Sequence, residues 1–254
     1  MENREYLIQS VRNALRILRL FSAERSELGI TEIASDLSLS KSTAHRLVTA
    51  LVQKGYLEKN EQNDRYLLGW ALLGLSGIIT THLEIHREAL PILNHLVEQL
   101  GEAIHIGVLE GQEIVYLHKV ECKHPVRLQS NIGKRNPAFC SSAGKVILAF
   151  QGKEVIESVL QSKLLPYGPN TITDPAKLLH CFEEIKQLGY SLAIEELHEG
   201  VTSLAVPVRD YSGEVIAAIS VVGPKERMPE RKFPFYIENL KRAAEELSNQ
   251  LGYI

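Results

Sequence analysis

Apolar residues recur along the chain at two spacings, and the change from one to the other divides it. In residues 8–22, Val11, Leu15, Leu18 and Phe21 fall at helical intervals, Ile17 and Leu20 widen the face, and Arg12, Arg16 and Arg19 lie on the other side. This predicts an amphipathic helix with one core face and Ser10 as N-cap candidate. Residues 26–29 break the pattern. A short helix is predicted over 31–37, with Thr31 as N-cap candidate and Ile33, Ala34 and Leu37 as its apolar face. Residues 38–40 form a tight turn. A third helix is predicted over 41–54, where Ala44, Leu47, Val48 and Leu51 follow the i, i+3, i+4, i+7 rule, Ser40 can cap it and Gly55 can end it. Residues 56–59 and 65–68 read as two strands joined by a polar turn. Three helices and a hairpin, with a three-residue turn between the second and third helices, form the winged helix-turn-helix pattern.

Residues 70–83 mark a boundary. Trp70, Leu72, Leu73, Leu75, Ile78 and Ile79 cover more than one face of a helix, so this segment must bury against something. The same segment of a second subunit and the core of the following domain are both open as partners. After residue 83 the pattern becomes mixed. Helices are predicted over 88–100, 141–150, 154–160, 174–188 and 237–251. Strands are predicted over 103–109, 113–120, 126–130, 190–194, 202–209 and 214–222, with Gly223-Pro224 stopping the sheet. The fold class is α+β, in three parts: a DNA-binding domain over 1–69, a linker or dimerisation helix over 70–83, and an α/β domain over 84–254.

The net charge of −3 excludes a uniformly basic, histone-like chain, and 44% apolar residues exclude a disordered one. The charge is nevertheless unevenly placed. Residues 1–69 carry +1 and the remainder −4, while Lys41, Arg46, Lys54 and Lys59 against Glu58 give residues 38–60 a charge of +3. The excess sits on the third helix and the wing, where a duplex would lie. Ser40, Ser42 and Thr43 are short donors at a helix start, suited to phosphates. His45, Arg46 and Thr49 can reach base edges in the major groove. With Thr31, Lys41 and the wing residues Lys59 and Arg65, they form the candidate DNA-binding set. An ordinary three-helix domain used for protein contacts is the alternative.

Other chemistry is poorly supported. Gly144-Lys145 is followed by Val146, so the hydroxyl that a phosphate loop needs for Mg²⁺ is missing, and Phe139 stands at the first glycine's place. Glu195 and Glu196 would point to opposite faces of a strand unless they sit in a loop. Cys140 has no identifiable partner histidine. His82 and His86, or His118, Cys122 and His124, lack the second ligand pair of a zinc site. No catalytic residue, metal or cofactor is therefore expected, and the chain reads as no enzyme. The N-terminus lacks the basic and apolar regions of a signal peptide, and the three cysteines form no framework. No stretch reaches the roughly 20 apolar residues of a membrane span. A cytoplasmic protein without membrane contact is expected.

Several blocks in fixed order carry a resemblance: Gly133-Lys-Arg-Asn-Pro137, Ala143-Gly-Lys-Val-Ile-Leu-Ala149, Gly189-Tyr190, Glu195-Glu196, Gly200 and Ala217-Ala-Ile-Ser-Val-Val-Gly-Pro224. Together with the winged helix they resemble the IclR family of bacterial transcriptional regulators over nearly the whole chain. The resemblance implies a homodimer or homotetramer that binds double-stranded operator DNA, as a repressor of a catabolic operon. It also implies a GAF-like C-terminal domain that binds a small-molecule effector, an organic or sugar acid. The family's pocket positions fall on Leu128, Ser142, Ala143, Ala193, Ser203, Ser220 and Val222, with Ser141 at the neighbouring helix start. Ala193 and Val222 depart from the polar residues of acid-binding relatives, which points to an oxyanion-bearing metabolite with an apolar part.

Overall fold

The computed structural model describes residues 8–22, 24–75, 84–123, 133 and 135–253, apart from the side chains of residues 84 and 86. It divides into two compact units, Met1–His82 and Leu83–Ile254. In the first unit, α1 spans Gln9–Leu18, α2 Ile30–Asp36 and α3 Lys41–Gln53, followed by β1 (Leu57–Asn60) and β2 (Arg65–Leu68). Ile17, Leu28, Ile33, Ala44, Val48 and Leu57 are almost fully buried at its centre. Each large apolar side chain so placed contributes about 1.5–3 kcal/mol. Leu28 exchanges two backbone hydrogen bonds of 2.9 Å with Tyr66, which ties the α1–α2 loop to the hairpin.

Helix α1 departs from the sequence expectation. It begins after Ile8, so Ser10 is inside it and no cap. Val11 and Leu15, expected in the core, are 54% and 57% exposed, while Asn13 and Ile17 face inward. The helix stops at Leu18, so Leu20 and Phe21 pack from the turn beyond it and no longer extend the Val11–Leu15 stripe. Asn13 is tolerated because its Oδ1 accepts from Gln9 Nε2 at 3.1 Å. Helix α2 is capped by Gly29, with Thr31 in its first turn. Glu32 there accepts the Gly29 N–H at 2.6 Å, a job that Thr31 could not do from inside the helix.

In the second unit, α4 (Glu84–Leu100) precedes β3 (Ala103–Glu110), β4 (Glu113–Val120) and β5 (Arg135–Pro137). A 3₁₀ turn, Ala138–Cys140, leads into α5 (Ser142–Ala149). Then come α6 (Lys153–Gln161), α7 (Pro175–Leu188), β6 (Ser191–Ile194), β7 (Val201–Arg209), β8 (Val215–Pro224) and α8 (Phe233–Gln250). Helix α4 starts four residues before the expected 88 and runs through Pro91, because Ile85, Ala89, Ile92, Leu93 and Leu96 form one continuous buried stripe. The expected strand over 126–130 lies outside the described residues. Strand β5 was not foreseen, being only three residues long.

The six strands form one antiparallel sheet in the order β5-β4-β3-β8-β7-β6. Alternation sorts their side chains onto two faces. Ile104, Ile106, Leu204, Val206, Ile219 and Val221 pack with α4 and α8. Ile114, Tyr116, Ala205 and Ala218 pack with α5, α6 and α7. Gly223 and Pro224 do not stop the sheet but pair with Thr202 and Val201. Glycine is needed there because a Cβ on Gly223 would lie 2.6 Å from Glu102 Oε2. Glu102 is itself buried, its carboxylate held at both oxygens by Arg227 at 2.7 and 2.6 Å. Among the described residues no helix is long and apolar enough to cross a membrane.

Candidate functional site

Two sites are built, one in each unit. In the first, Ser40 takes extended backbone and its hydroxyl accepts the Thr43 N–H at 3.2 Å, fixing the start of α3. The hydroxyls of Ser42 and Thr43 lie 3.0 and 2.8 Å from that of Ser40, so the helix start carries a cluster of short donors. Because Ala44, Val48 and Leu51 turn inward, Lys41, Ser42, Thr43, His45, Arg46 and Thr49 all stand on the exposed side. Lys41, His45 and Arg46 form no ion pair with any described residue. Thr31 is exposed in the first turn of α2.

The wing is different. Lys59 Nζ lies 2.6 Å from Asp64, in a pair 45% and 83% exposed. Arg65 Nη2 donates to the Glu27 carbonyl at 2.9 Å and to Glu32 at 2.7 Å, so it clamps the hairpin to α2. Arg65 thus has structural work that the sequence did not show, whereas an exposed single pair such as Lys59–Asp64 contributes little to stability.

In the second unit a cavity of about 40 Å³ opens between the sheet and the start of α5. Ser141, Ser142, Ala193, Ser203, Ser220 and Val222 line it, as do His105, Tyr116, Asn136, Cys140, Glu196, Leu197, His198 and Val201. Pairing explains the gathering: Ser203 faces both Ala193 and Val222 across the ladders, and Ser220 faces His105. Ala143 does not line the cavity. Its methyl is buried in the core beneath α5, which leaves only its backbone N–H, at the second helical position, to offer a ligand. Leu128 lies outside the described residues.

Ser141 caps α5 by accepting the Gly144 N–H at 3.1 Å. Gly144 must be glycine, since a Cβ there would stand 2.2 Å from the Ala138 carbonyl oxygen. Lys145 is 1% exposed and donates to the Leu192 carbonyl at 2.8 Å and to Glu196 Oε1 at 2.5 Å. It is a structural ion, not a phosphate ligand. Glu195 has positive φ, so the Glu195-Glu196 pair sits in a loop and diverges. Glu195 pairs outward with Lys225 at 2.6 Å and Glu196 inward with Lys145. Thr171 pins the loop, its hydroxyl donating to the Glu196 carbonyl at 2.5 Å.

The titratable groups of the cavity are held away from chemistry. Burial, aided by Lys119, pushes the His105 imidazole down to about 3, so it is neutral. Burial, aided by Glu196, pushes the Cys140 thiol up to about 12, so it is no thiolate nucleophile. Burial raises Glu196 against the opposing pull of Lys145. Burial also raises Tyr116, which is hydrogen-bonded to Asn136. Apart from Glu196, which is paired with Lys145, the cavity is lined by neutral donors and acceptors. His105, Tyr116 and Asn136 escaped sequence reading because a lone polar residue in an alternating strand carries no mark of the cavity it faces. Glu196 could have been placed by its motif, had the loop been foreseen.

Residues 10–61 match the family described as IclR helix-turn-helix domain, and residues 78–249 match Bacterial transcriptional regulator IclR C-terminal. The chain is 34% identical over 248 residues to the HTH-type transcriptional regulator XynR of Escherichia coli, covering 97% of this chain and 98% of that protein. It is 30% identical over 250 residues to the HTH-type transcriptional repressor AllR of the same species, covering 96% and 90%. Among solved structures, an IclR homolog from Microbacterium hydrocarbonoxydans complexed with 4-hydroxybenzoate aligns with a TM-score of 0.85 and 31% identity, covering 95% of this chain and 98% of that one.

Proposed function

The chain belongs to the IclR family of bacterial transcriptional regulators, and from that premise we propose that it represses a catabolic operon until a small metabolite occupies the cavity of its second unit. It is a DNA-binding regulator, not an enzyme. The observation that carries the reading is the face of α3. Its short hydroxyls cluster at the helix start, and Lys41, His45 and Arg46 stand exposed without an ion-pair partner among the described residues. In this reading Ser40, Ser42, Thr43 and Lys41 hold phosphates, while His45, Arg46 and Thr49 read base edges. Thr31 adds a phosphate contact from α2. Lys59 serves the wing by exchanging Asp64 for a phosphate, and Arg65 keeps its clamp.

The parts are residues 1–69 for DNA, 70–83 for subunit pairing and 84–254 for the effector. A homodimer or homotetramer supplies the two or more recognition helices that a chain with so few cations on its DNA-facing surface needs. The effector is a small organic or sugar acid. Its oxyanion meets the N–H groups at the start of α5 near Ser141, Ser142 and Ala143. Its remaining atoms reach Ser203 and Ser220, with Ala193 and Val222 as an apolar wall. Leu128 completes the set by position. The relative solved with 4-hydroxybenzoate supports an acid with an apolar part.

Arg46→Ala tests the reading. On a duplex selected from a random library by the full chain, the variant is expected to lose about 1–3 kcal/mol per site. On random DNA it should lose far less. An equal loss on both would make Arg46 a phosphate contact. No loss on either would remove Arg46 from the interface.

A further inference from the structure

We infer that the cavity selects a ligand bearing a hydroxyl group, which donates to Glu196 Oε2 and bonds to the His105 ring. This rests on the reading of the cavity as the effector site and narrows what that site accepts. His105 stands in β3 opposite Ser220 and Lys119, 1% exposed, with its ring edge-on to Tyr116 at 5.2 Å. Neither ring nitrogen has a hydrogen-bond partner among the described residues, although both are buried. Glu196 shows the same asymmetry within one carboxylate. Lys145 holds Oε1, while Oε2 is buried and has no partner among the described residues. Both residues line the cavity. Buried polar groups without partners are rare, and each calls for a cause.

The chemistry of the missing partner follows. A neutral imidazole offers one donor and one acceptor, and a carboxylate oxygen offers only acceptance. An apolar ligand would leave all three atoms stranded. A bare carboxylate has nothing to donate to Glu196 Oε2 and is repelled by its charge. A hydroxyl both donates and accepts, so one or two of them satisfy the set. His105 stays neutral beside Lys119 and Tyr116 of β4, with Cys140, Glu196 and His198 also lining the cavity, so it is no cationic receptor for an anion. An oxyanion on the same ligand belongs at the start of α5. The cavity has room for a few waters, which suits a ligand of about three carbons.

D-Glycerate, glycerol and propionate, matched at three carbons, provide the test by titration calorimetry on the full chain. Glycerate and glycerol are expected to bind, and propionate to bind roughly ten- to a hundredfold more weakly than glycerate, as loss of a hydrogen bond to a charged acceptor implies. His105→Leu should reduce that ratio to within about threefold. His105→Gln should keep most of it, because the amide retains a donor and an acceptor. Without ligand, His105→Leu should melt no lower than the parent, since it removes a partnerless polar group. A clear fall would show that the ring is structurally engaged and would overturn the inference. So would failure of all three probes to bind. Ser220→Trp, which fills the cavity, separates this inference from the reading beneath it. Probes that bind the filled variant as well as the parent lie elsewhere, and the effector-site reading falls too. Probes that the filling excludes, but that bind equally with or without hydroxyls, overturn the hydroxyl inference alone.

Discussion

Lys145→Met is expected to destabilise the second unit by about 3–5 kcal/mol, because it leaves Glu196 buried without its counter-charge. Lys145 and Glu196 have side chains 1% and 7% exposed, so bulk solvent does little to screen the charge left behind. The variant also frees the Leu192 carbonyl, which accepts from Lys145 at 2.8 Å. Combining Lys145→Met with Glu196→Leu should recover most of the loss, since a buried pair replaced by apolar side chains of similar size is often neutral. The pH dependence has a definite sign. Burial already raises Glu196, and without Lys145 its pKa rises further above the unfolded value. The folded single variant then holds a proton that the unfolded chain releases, so its stability falls as pH rises above the ordinary carboxylate range and recovers as pH is lowered. Urea unfolding at pH 5 and pH 8 checks both claims. A single variant as stable as the parent at pH 8 would mean that the pair contributes nothing.

Gly144→Ala is expected to cost about 3 kcal/mol, at the upper end of the overpacking range. On helix propensity alone alanine should gain about 1 kcal/mol. The close approach decides the sign: the new methyl would meet Ala138 at 2.2 Å from its oxygen and 2.4 Å from its Cα, both backbone atoms that cannot rotate away. Helix α5 must then lift from the 3₁₀ turn, moving Ser141 and Ser142, which line the cavity. Unfolding midpoints and the amide resonances of Ser141 and Ser142 report the two effects. A stabilised variant with unmoved resonances would show that turn and helix are not locked together.

How much of this was legible beforehand depended on how much each residue's neighbours in sequence say about its neighbours in space. Helix α3 was readable because Ala44, Val48 and Leu51 repeat regularly and Ser40 and Gly55 punctuate it. Helix α1 misled because it carries two apolar stripes. The stripe that packs inward includes Asn13, whose polarity is satisfied by Gln9, while Val11 and Leu15 face out. In the second unit the strands were readable from alternation, yet the cavity was approached only through family motifs. Ser203, Ser220 and Val222 came from the pocket positions that the family resemblance implies. His105 sits between Ile104 and Ile106 in a strand predicted from alternation alone, which says nothing of the cavity it faces. The partner of Lys145 lies 51 residues away across a loop, beyond any periodic rule. The wing shows the opposite limit: Arg65 had the right charge for DNA, but its contacts to Glu27 and Glu32 depend on a fold that brings residues 33 and 38 positions apart together.

The charge pattern sharpens the account. The net −3 of the chain conceals +3 over residues 38–60, of which Lys41 and Arg46 have no ion-pair partner among the described residues and Lys59 shares one exposed pair. So few cations per chain give weak sequence-independent affinity, and tight binding then needs two or more copies on one site. The most direct measurement is fluorescence anisotropy of the full chain on its selected duplex and on a scrambled one, between 50 and 300 mM salt. The account predicts a preference of about 10³ or more for the selected duplex and a log–log salt slope of roughly −3 or steeper. Equal affinity for both duplexes, or binding indifferent to salt, would contradict it.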